Sequence, residues 1–380
     1  MTPAGALSGP QGLIGSPVEL LPTPALVVDL AKVRANIAEM RARMETVPAE
    51  LRPHAKIHKS PELARMQLAA GAIGITTATV WEATAMLEAG IDDVLVANQV
   101  VGARKEAELA RLSTLGRVIV LVEDTGNAEA LSAAAVAAGG VIGVLVEIDV
   151  GLHRAGARGV EAAAELAELV ERLPGLALLG PFGYEGHCML EPEREERVRK
   201  ARAANEELLA LADELERRGL ATEIVAAGGL GTWDITGANP RVTEIHAGSY
   251  VFSDAFHANL VPGFDPALTV RATIVSRHGS MAVLDCGRKS IGIDRATPEL
   301  VGVEGAVRFE HGEHFVHEEH TAVELADAGL GVGDTVALMP GYAPTTVNFY
   351  DCFFVAEDGV VVDVWPVLGR YGTETLGGAA

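Results

Sequence analysis

Basic residues, cysteines and long apolar runs are all scarce in this chain of 380 residues. Thirty Lys and Arg residues stand against 52 Asp and Glu residues, which gives a formal net charge of −22. A field of this sign repels phosphate backbones and disfavours general nucleic-acid binding, although a local site can still hold a small anion. Cys188, Cys286 and Cys352 lie far apart and form no CxxC pair. We therefore expect neither a disulfide framework nor a zinc ribbon, and a cytoplasmic location.

Apolar residues make up 49% of the chain, but charges or glycines interrupt each apolar run well short of a membrane-spanning length. The segment before Pro22 also lacks the basic start and apolar core of a signal peptide. The sequence therefore predicts a soluble globular protein with no membrane partner. Residues 1–24 are expected to form a leader that packs on a later β-domain.

From residue 25 onwards, short apolar runs alternate with Ala-, Glu- and Arg-rich segments of helical period. Eight runs follow one another, most with a helical segment behind them: LRPHAKI, AIGITTA, DVLVANQ, RVIVLVE, VIGVLVEID, LALLGPFGYE, TEIVAAGG and VTEIHAGSYVF. Apolar strands joined by helices indicate a parallel sheet, and a count of eight favours a closed (β/α)8 barrel over an open sheet. We expect this TIM-type barrel to cover residues 25–264.

After about residue 265 the helical period disappears. Strand-like runs are separated by Gly, Asp and His turns, as in LTVRATIVSR, SMAVLDCG, AVRFEHGEHFV, DTVALMPG and GVVVDVWPV. This pattern predicts a separate, mostly antiparallel β-domain over residues 265–380.

Two glycine-rich loops follow the seventh and eighth predicted barrel strands, GGLGT at 228–232 and AGSY at 247–250. In barrels these positions commonly bind phosphate, because glycine lets backbone N–H groups approach an anion and Thr or Ser adds a hydroxyl group. The first loop fits neither GxGxxG nor GxxxxGK[ST]. A phosphate-bearing ligand is therefore expected, while glycines that only relieve turns are the alternative.

The chain has few lysines, and Lys56 is the strongest candidate for one that faces the bound ligand, because it lies near the end of the first predicted barrel strand. A lysine that faces a phosphate loop indicates a Schiff base with pyridoxal phosphate (PLP), or else a point charge that binds phosphate. Lys59 is the second candidate. Arg154 and Tyr184 follow strands five and six, and they either contact the cofactor ring or stabilise the barrel rim.

The ordered set RPHAKIHKS, ATVWEA, EIDVGLHRAG, YEGH, GGLGT and AGSYVF resembles the fold-type III PLP enzymes. The D-threonine aldolase and D-serine dehydratase group, relatives of alanine racemase, is most similar, and the resemblance continues through LDCGRKSIGID and PGYAPTTVNFYD. It implies a Schiff base on Lys56, Arg154 near the cofactor O3′ and Tyr184 near the ring nitrogen. It also implies a homodimer in which the β-domain completes the partner's active site. The phosphate ligands that it implies are Gly229, Gly231, Thr232, Gly248 and Ser249.

One segment departs from that family. Metal-dependent members carry a His and, two positions later, an Asp or Cys, where this chain has Tyr342 and Pro344. Proline offers no ligand and tyrosine is a poor one for these divalent ions. The usual metal site is therefore expected to be missing.

Three functions stay open at this point. The first expectation is a lyase on β-hydroxy-D-amino acids, by retro-aldol cleavage to glycine and an aldehyde or by dehydration, with Tyr342 and His187 in place of the metal. The alternative is a racemase or epimerase with Lys56 and Tyr342 as opposed bases. A non-catalytic PLP-binding protein is least favoured, since such barrels generally lack so large a β-domain.

A histidine tract, HGEHFVHEEH, places His311, His314, His317 and His320 at every third position. On a helix this spacing would build part of a metal site. The surrounding pattern is strand-like, where a spacing of three puts neighbours on opposite faces. No metal role is expected for the tract, and Cys352 is expected to be a buried strand cysteine.

Overall fold

The computed structural model describes residues 9–307, 309–310, 313–314, 316–326 and 329–371. These residues form two compact units. The first, the antiparallel unit, contains the described residues of Met1–Ala38 and Ser249–Val367; the second, the barrel unit, contains those of Glu39–Gly248 and Leu368–Ala380. The limits 1–24, 25–264 and 265–380 divide the chain by sequence pattern instead, and they stay a prediction.

The helices and strands alternate through the first two thirds of the described chain, and strands dominate the rest. The strands are β1 (Ala25–Asp29), β2 (Glu50–Leu51), β3 (Ile75–Thr77), β4 (Asp93–Gln99), β5 (Arg117–Val122), β6 (Ile142–Glu147), β7 (Leu176–Gly183), β8 (Ala226–Ala227), β9 (Glu244–Ile245), β10 (Leu268–His278), β11 (Met281–Leu284), β12 (Glu299–Val301), β13 (Gly305–Val307), β14 (Phe309–Glu310), β15 (Glu313–His314), β16 (Thr321–Leu325), β17 (Thr335–Met339), β18 (Cys352–Glu357) and β19 (Val360–Pro366). The helices are α1 (Leu30–Met44), α2 (Pro61–Ala69), α3 (Val80–Glu88), α4 (Ala103–Leu112), α5 (Thr125–Ala138), α6 (Val160–Arg172), α7 (Arg194–Arg217), α8 (Trp233–Thr236), α9 (Ala255–Leu260) and α10 (Ala343–Val347).

The barrel unit is built on an eight-stranded parallel sheet in the order β2-β9-β8-β7-β6-β5-β4-β3. An isolated parallel bridge between His54 and Thr76 joins the chain just after β2 to β3, and Thr76 N–H donates to Pro53 O at 2.9 Å. The two edges of the sheet therefore meet, which closes the ring. All six residues of β6 are buried, as expected for a parallel strand with cover on both faces.

Side-chain caps fix where several barrel helices begin. The Ser60 hydroxyl accepts from Leu63 N–H before α2, Thr79 accepts from Glu82 N–H before α3, and Asp124 accepts from Asn127 N–H before α5. Each cap satisfies an N–H group that has no partner inside its own helix. These caps begin the helices at the carboxyl ends of the strands, where the loops of a barrel carry its chemistry.

The antiparallel unit contains a sheet in the order β13-β16-β11-β10-β1-β18-β19, with β17 paired to both β10 and β12. Strand β1 lies inside this sheet, antiparallel to β10 and parallel to β18, so that Val27 pairs with Thr269 on one side and Phe354 on the other. Strands β14 and β15 form a separate two-stranded sheet. The core of the antiparallel unit includes one cluster of buried residues: Val18, Leu21, Ala25, Val27, Ala356, Val361 and Val364.

These observations confirm the predicted fold class, a barrel of eight parallel strands with a mostly antiparallel β-domain. One detail of the prediction was wrong. Strand β2 ends at Leu51, and Lys56 lies in a 3-10 turn over Ala55–Ile57 rather than on a strand. The reason lies in Pro53, which has no N–H group to extend the strand ladder.

Further sequence expectations concern membranes, metals and cysteines. No helix in the described ranges is long and apolar enough to cross a membrane. Cys188 and Cys286 are buried, Cys352 is half-buried at the start of β18, and none of the three forms a disulfide bond within the described ranges. Within the histidine tract, His311 lies outside the described residues, and His317 N–H donates to His320 O at 2.7 Å in a turn.

Candidate active site

Lys56 is held just beyond the end of β2 in a short turn. Its backbone N–H lies 3.4 Å from His54 Nδ1, and its side chain is half-buried. Its Nζ atom has no hydrogen-bond partner among the described residues. Burial lowers the pKa of Lys56, and the positive charge of Arg154 lowers it further, while Glu82 opposes both. A lysine of this kind supplies a larger fraction of neutral, nucleophilic amine than an exposed lysine does.

Lys59 has a different environment, although it is only three residues away. Its side chain is buried and its Nζ forms an ion pair with Glu82 Oε1. The other carboxylate oxygen of Glu82 accepts from Ala78 N–H at 2.6 Å. Lys289 belongs to the antiparallel unit, where it is exposed and pairs with Glu319 at 2.5 Å. Lys59 and Lys289 therefore both form ion pairs with carboxylates, and Lys56 is the better candidate for the cofactor lysine.

The end of the described chain packs on the same lysine segment. Leu368 N–H donates to Lys59 O at 2.9 Å, and the ring of Tyr371 lies edge-on to Trp81 with centroids 5.6 Å apart. A Cβ atom on Gly369 would lie 2.7 Å from Glu82 Cα, and Gly369 has a φ of +68°. Only glycine fits this close approach without strain.

Arg154 lies between a carboxylate and an aromatic ring. Its guanidinium is 3.8 Å from Glu147 Oε1 at the end of β6, and its Cζ is 5.5 Å from the centroid of Tyr184. Glu147 is buried and also accepts a hydrogen bond from Gln99. Burial raises the pKa of Glu147, against the effects of Gln99 and Arg154. Arg154 therefore contacts both Glu147 and Tyr184, and its charge acts on Lys56.

Asp149 organises the loop DVGLHRAG that carries Arg154. One carboxylate oxygen accepts from Gly151 N–H at 3.1 Å and His153 N–H at 2.9 Å, and the other pairs with Arg158 and with His153 Nδ1. His153 has a φ of 56°, a left-handed conformation that is uncommon outside glycine. The carboxylate of Asp149, the first residue of the loop, therefore fixes the loop conformation.

Glu185 is the residue of this site that the sequence did not single out. It is buried directly after Tyr184, and its carboxylate accepts from Gly228 N–H at 3.0 Å, Thr232 Oγ1 at 2.8 Å and Thr236 Oγ1 at 2.6 Å. One buried carboxylate therefore fixes the whole GGLGT loop. The only sequence signal for it was an acidic residue at a strand end, inside the motif YEGH.

The predicted phosphate loops differ in how their polar groups are used. Thr232 Oγ1 accepts from Gly229 N–H at 3.2 Å and donates to Glu185, so that Thr232 orders the loop. Gly231 N–H lies 3.2 Å from the sulfur of Met189, which is a weak acceptor that a phosphate oxygen would outcompete. A Cβ atom on Gly248 would collide with His54 O, next to Lys56. Ser249 begins the 3-10 turn Ser249–Val251 of the antiparallel unit.

His187 lies in a 3-10 turn, Gly186–Leu190, that follows β7. Its imidazole is half-buried, and its Nδ1 atom is buried with no hydrogen-bond partner among the residues that the structure describes. Burial lowers the pKa of His187, with Lys200 and His153 lowering it further against Glu185. At neutral pH the ring is therefore uncharged and can accept a proton.

Tyr342 occupies the N-cap position of helix α10 in the antiparallel unit, without a side-chain capping bond. Asp254 Oδ2 accepts from Ala343 N–H at 2.8 Å and Asp254 Oδ1 pairs with His257 Nδ1 at 2.7 Å. The His257 ring stacks on Tyr342 at 5.8 Å, and Arg295 lies 5.9 Å from the Tyr342 centroid. Burial and Asp254 raise the pKa of Tyr342, against Arg295. Its hydroxyl has no hydrogen-bond partner in the part of the chain that the structure describes, which leaves it available to a substrate.

Pro344 occupies the first turn of α10, where its fixed φ angle suits a helix start. It stands at one of the two positions where the resemblance places a metal ligand in metal-dependent members, and where no ligand was expected in this chain. Within the described ranges, no group of three or more His, Cys, Asp or Glu residues converges as it would around a metal ion.

Comparisons with known proteins show which family the chain belongs to. A model of the alanine racemase N-terminal domain matches residues 28–255, and a model of a putative serine dehydratase domain matches residues 267–356. A D-threonine aldolase of Arthrobacter sp. is 36% identical over 84% of this chain and 85% of its own length. A 3-hydroxy-D-aspartate aldolase of Paracoccus denitrificans (strain Pd 1222) is 33% identical over 84% of each chain. The crystal structure of D-threonine aldolase from Filomicrobium marinum is 33% identical, superposes with a TM-score of 0.89, and covers 95% of this chain and 99% of its own.

Proposed function

Because this chain belongs to the alanine racemase N-terminal-domain family, and joins that domain to one of the serine dehydratase type, we propose that it is a PLP-dependent lyase that acts on β-hydroxy-D-amino acids. The relatives bear out the fold-type III resemblance and the predicted enzyme class. The observation that carries the proposal is the amine of Lys56, which has no hydrogen-bond partner among the described residues and whose pKa is lowered by burial and by the charge of Arg154, because such an amine suits an aldehyde cofactor.

The residues of the barrel unit fit PLP. Among the described residues Lys56 Nζ has no hydrogen-bond partner, and its pKa is lowered by burial. Arg154 and Tyr184 offer a cation and an aromatic ring that contact each other, and the acceptor that the described residues give Gly231 N–H is a sulfur. We assign the cofactor phosphate to Gly229, Gly231, Thr232, Gly248 and Ser249. When bound, PLP supplies an electron sink for negative charge that develops at the substrate Cα.

The protein must then move protons at two substrate atoms. Cleavage of the Cα–Cβ bond needs a base at the β-oxygen and an acid that returns a proton to Cα. We assign the base to His187, whose lowered pKa keeps the ring neutral. Tyr342, whose raised pKa keeps the phenol protonated, is assigned as the hydrogen-bond donor at the β-oxygen and, in dehydration, as the acid that protonates the departing hydroxide. Lys56 Nζ returns a proton to Cα in cleavage and removes the Cα proton in dehydration.

The reaction is tested by proton NMR in deuterated water with chelator-treated, PLP-loaded enzyme and D-threonine, D-serine and their stereoisomers. Glycine together with an aldehyde is the expected result. A keto acid would instead identify a dehydratase within the same proposal. No turnover of any D isomer would contradict the proposed function.

The cofactor lysine is tested separately by borohydride reduction and peptide mapping. We expect the label on Lys56. Label on Lys59 or Lys289 would overturn the assignment of the site.

We propose further that turnover needs no divalent metal, because Tyr342 and Pro344 stand where the resemblance predicts the ligands. Activity should survive exhaustive chelation unchanged. Loss of activity with chelator, followed by recovery with manganese or zinc, would contradict this proposal.

A racemase or epimerase is the second candidate, and the unpartnered hydroxyl of Tyr342 is the observation that favours it. Two proton carriers on opposite faces of Cα would invert its configuration. In the same NMR experiment, exchange of the Cα proton with an inverted product and no cleavage would identify this activity.

We also propose a cytoplasmic homodimer whose active site combines the barrel of one subunit with the β-domain of the other. Two inactive variants, Lys56→Ala and Tyr342→Phe, test this arrangement when they are unfolded and refolded together. In a shared site, mixed dimers regain one intact site, so that about a quarter of the wild-type activity returns at random pairing. Activity that stays at zero, with mixed dimers present by mass spectrometry, would contradict a shared site.

A further inference from the structure

The segment Leu368–Tyr371, here called the strap, contacts the part of the chain that carries the candidate cofactor lysine. Leu368 N–H donates to Lys59 O at 2.9 Å. The ring of Tyr371 lies edge-on to that of Trp81 in helix α3, with centroids 5.6 Å apart. The strap is itself part of the barrel unit. It therefore bonds to the lysine segment and to α3 within one compact unit.

Gly369 brings the strap against the backbone of α3. A Cβ atom at Gly369 would lie 2.7 Å from Glu82 Cα and 2.8 Å from Glu82 N. Both of these are backbone atoms, which cannot move aside as the end of a flexible side chain can. Gly369 also has a φ of +68°, a conformation that residues with a side chain rarely adopt. The strap can therefore approach Glu82 this closely only with a glycine at its second position.

Lys59 links the strap to the turn that carries Lys56. Its N–H donates to Ala55 O at 2.7 Å, its carbonyl oxygen accepts from Leu368, and its Nζ forms a buried ion pair with Glu82. Its φ is 50°, in the left-handed region that a residue with a side chain occupies only where its surroundings hold it. The bond to the strap and the ion pair supply that constraint, and the bond to Ala55 passes it to the turn.

Glu82 acts on Lys56 by its charge as well. Burial lowers the pKa of Lys56 most, Glu82 raises it, and Arg154 lowers it. His54, whose Nδ1 faces the Lys56 N–H, is uncharged at neutral pH, because burial and the charge of Lys56 hold its pKa well below 6.5. The second oxygen of Glu82 accepts from Ala78 N–H at 2.6 Å, which fixes the carboxylate. The position of Glu82 therefore sets part of the fraction of neutral amine on Lys56.

We propose that the strap positions the cofactor lysine: through Lys59 and Glu82 it fixes the turn of Lys56, and it thereby slows the loss of PLP from the enzyme. This inference rests on the proposed function, because it takes Lys56 as the lysine that bears PLP. When the strap is released, Lys59 loses a hydrogen bond that holds its left-handed conformation, and the turn of Lys56 relaxes. Gly369, Lys59 and Glu82 are thus positioning residues that act through Lys56.

The experiment measures how fast PLP leaves the Gly369→Ala holoenzyme. The enzyme is diluted into an excess of an apo-aminotransferase, and the transaminase activity that appears reports the PLP released. The added Cβ pushes the strap away from α3, so we expect PLP to leave about tenfold faster than from the wild type. Gly359→Ala is the matched control, because Gly359 has a φ of +76° but no described atom within 4 Å of an added Cβ. It should release PLP at the wild-type rate.

A pH profile distinguishes positioning of Lys56 from a general loss of stability. In Glu82→Gln apoprotein, the charge that raises the pKa of Lys56 is gone, so the pH profile of PLP incorporation should move to lower pH. Glu88→Gln is the control, since Glu88 is exposed on the same helix and pairs with Arg111 at 2.8 Å. Its profile should coincide with that of the wild type. Lower stability alone would reduce the amount of PLP incorporated and leave the midpoint of the profile unchanged.

Equal rates of PLP loss from Gly369→Ala and Gly359→Ala would overturn the inference. A pH profile of Glu82→Gln that coincides with that of Glu88→Gln would overturn it as well. The proposed function fails by a different result, a borohydride label on a lysine other than Lys56, and the inference would fail with it. A label on Lys56 together with equal rates of PLP loss would therefore contradict only the role of the strap.

Discussion

The charge of Arg154 lowers the pKa of Lys56, and this effect can be measured as a shift of a pH profile. Burial is the larger reason for the lowered pKa of Lys56, and Arg154 is the second group that lowers it. Removing Arg154 removes a like charge, so that the pKa of Lys56 rises and less neutral amine is present at a given pH. In Arg154→Leu apoprotein, we expect the pH profile of PLP incorporation, followed by absorbance, to move to higher pH.

Arg158→Leu is the control for that experiment, because Arg158 lies in the same loop but pairs with Asp149. Its pH profile should coincide with that of the wild type. An unshifted profile in Arg154→Leu would mean that Arg154 does not act on the amine of Lys56.

The proposed chemistry also depends on the hydroxyl group of Tyr342. Tyr342→Phe keeps the ring that stacks on His257 and removes only the proton carrier. We expect kcat to fall by about 10²–10⁴-fold, the usual contribution of a positioned acid or base, while the absorbance of bound PLP is unchanged. Tyr350→Phe removes a hydroxyl that donates to Ser290 O at 2.8 Å, and it should leave kcat within about twofold of the wild type. Comparable kcat values in the two variants would remove the role of Tyr342.

At the scale of elements, the glycine loop between β8 and α8 depends on one buried carboxylate. Glu185→Gln places an amide donor among three donors, from Gly228, Thr232 and Thr236, and leaves some of them unsatisfied. We expect PLP affinity, measured by titration of apoprotein, to fall at least about tenfold, because each unsatisfied buried group costs about 1–3 kcal/mol.

Thr236→Val removes one of these donors without a change at a predicted cofactor residue, and its PLP affinity should fall less than that of Glu185→Gln. Equal affinity in Glu185→Gln and the wild type would mean that the loop does not hold the phosphate.

The elements that sequence predicted well are those whose pattern is local. Strands β4, β5 and β6 were recognisable as apolar runs, because burial on both faces requires apolar side chains along most of the strand. The pairing of β1 with β10 and β18 was not recognisable, since the sequence of an apolar strand does not specify partners more than 200 residues away. The turn at Lys56 was missed because LRPHAKI was interpreted as one strand, although Pro53 has no N–H group to extend the strand ladder.

The candidate site was predictable to a similar extent. Lys56 and Arg154 stood out because lysines are few and strand ends carry chemistry, and in the structure the charge of Arg154 lowers the pKa of Lys56. Glu147 and Glu185 did not stand out, because a buried carboxylate is specified by its donors, which come from loops distant in sequence.

For the whole molecule, three buried histidines predict sensitivity to acid. Burial lowers the pKa of His58 to about 4 and that of His246 to about 3, and it holds the pKa of His54 well below 6.5. Between pH 6.5 and about 4 the unfolded chain therefore binds more protons at these sites than the folded protein does. The free energy of unfolding should fall as pH decreases through this window, by up to about 1.4 kcal/mol per pH unit for each histidine.

Urea unfolding at pH 7, 6 and 5 measures this slope. His58→Gln should make it shallower, and His278→Gln, at an exposed position, should not change it. A free energy of unfolding that stays constant from pH 7 to pH 5 would contradict the prediction.

The position of β1 has a consequence for synthesis on the ribosome. Its partners β10 and β18 begin at Leu268 and Cys352, so that about 240 residues must follow Asp29 before the first partner strand emerges. At about 5–20 residues per second, this corresponds to a wait of roughly 12–48 seconds. During that time the segment ALVVD is an unpaired apolar strand, while the strands of the barrel have already been made. Nascent-chain folding should therefore proceed outwards from the middle of the sequence, and the first strand to be translated should be among the last to find its place.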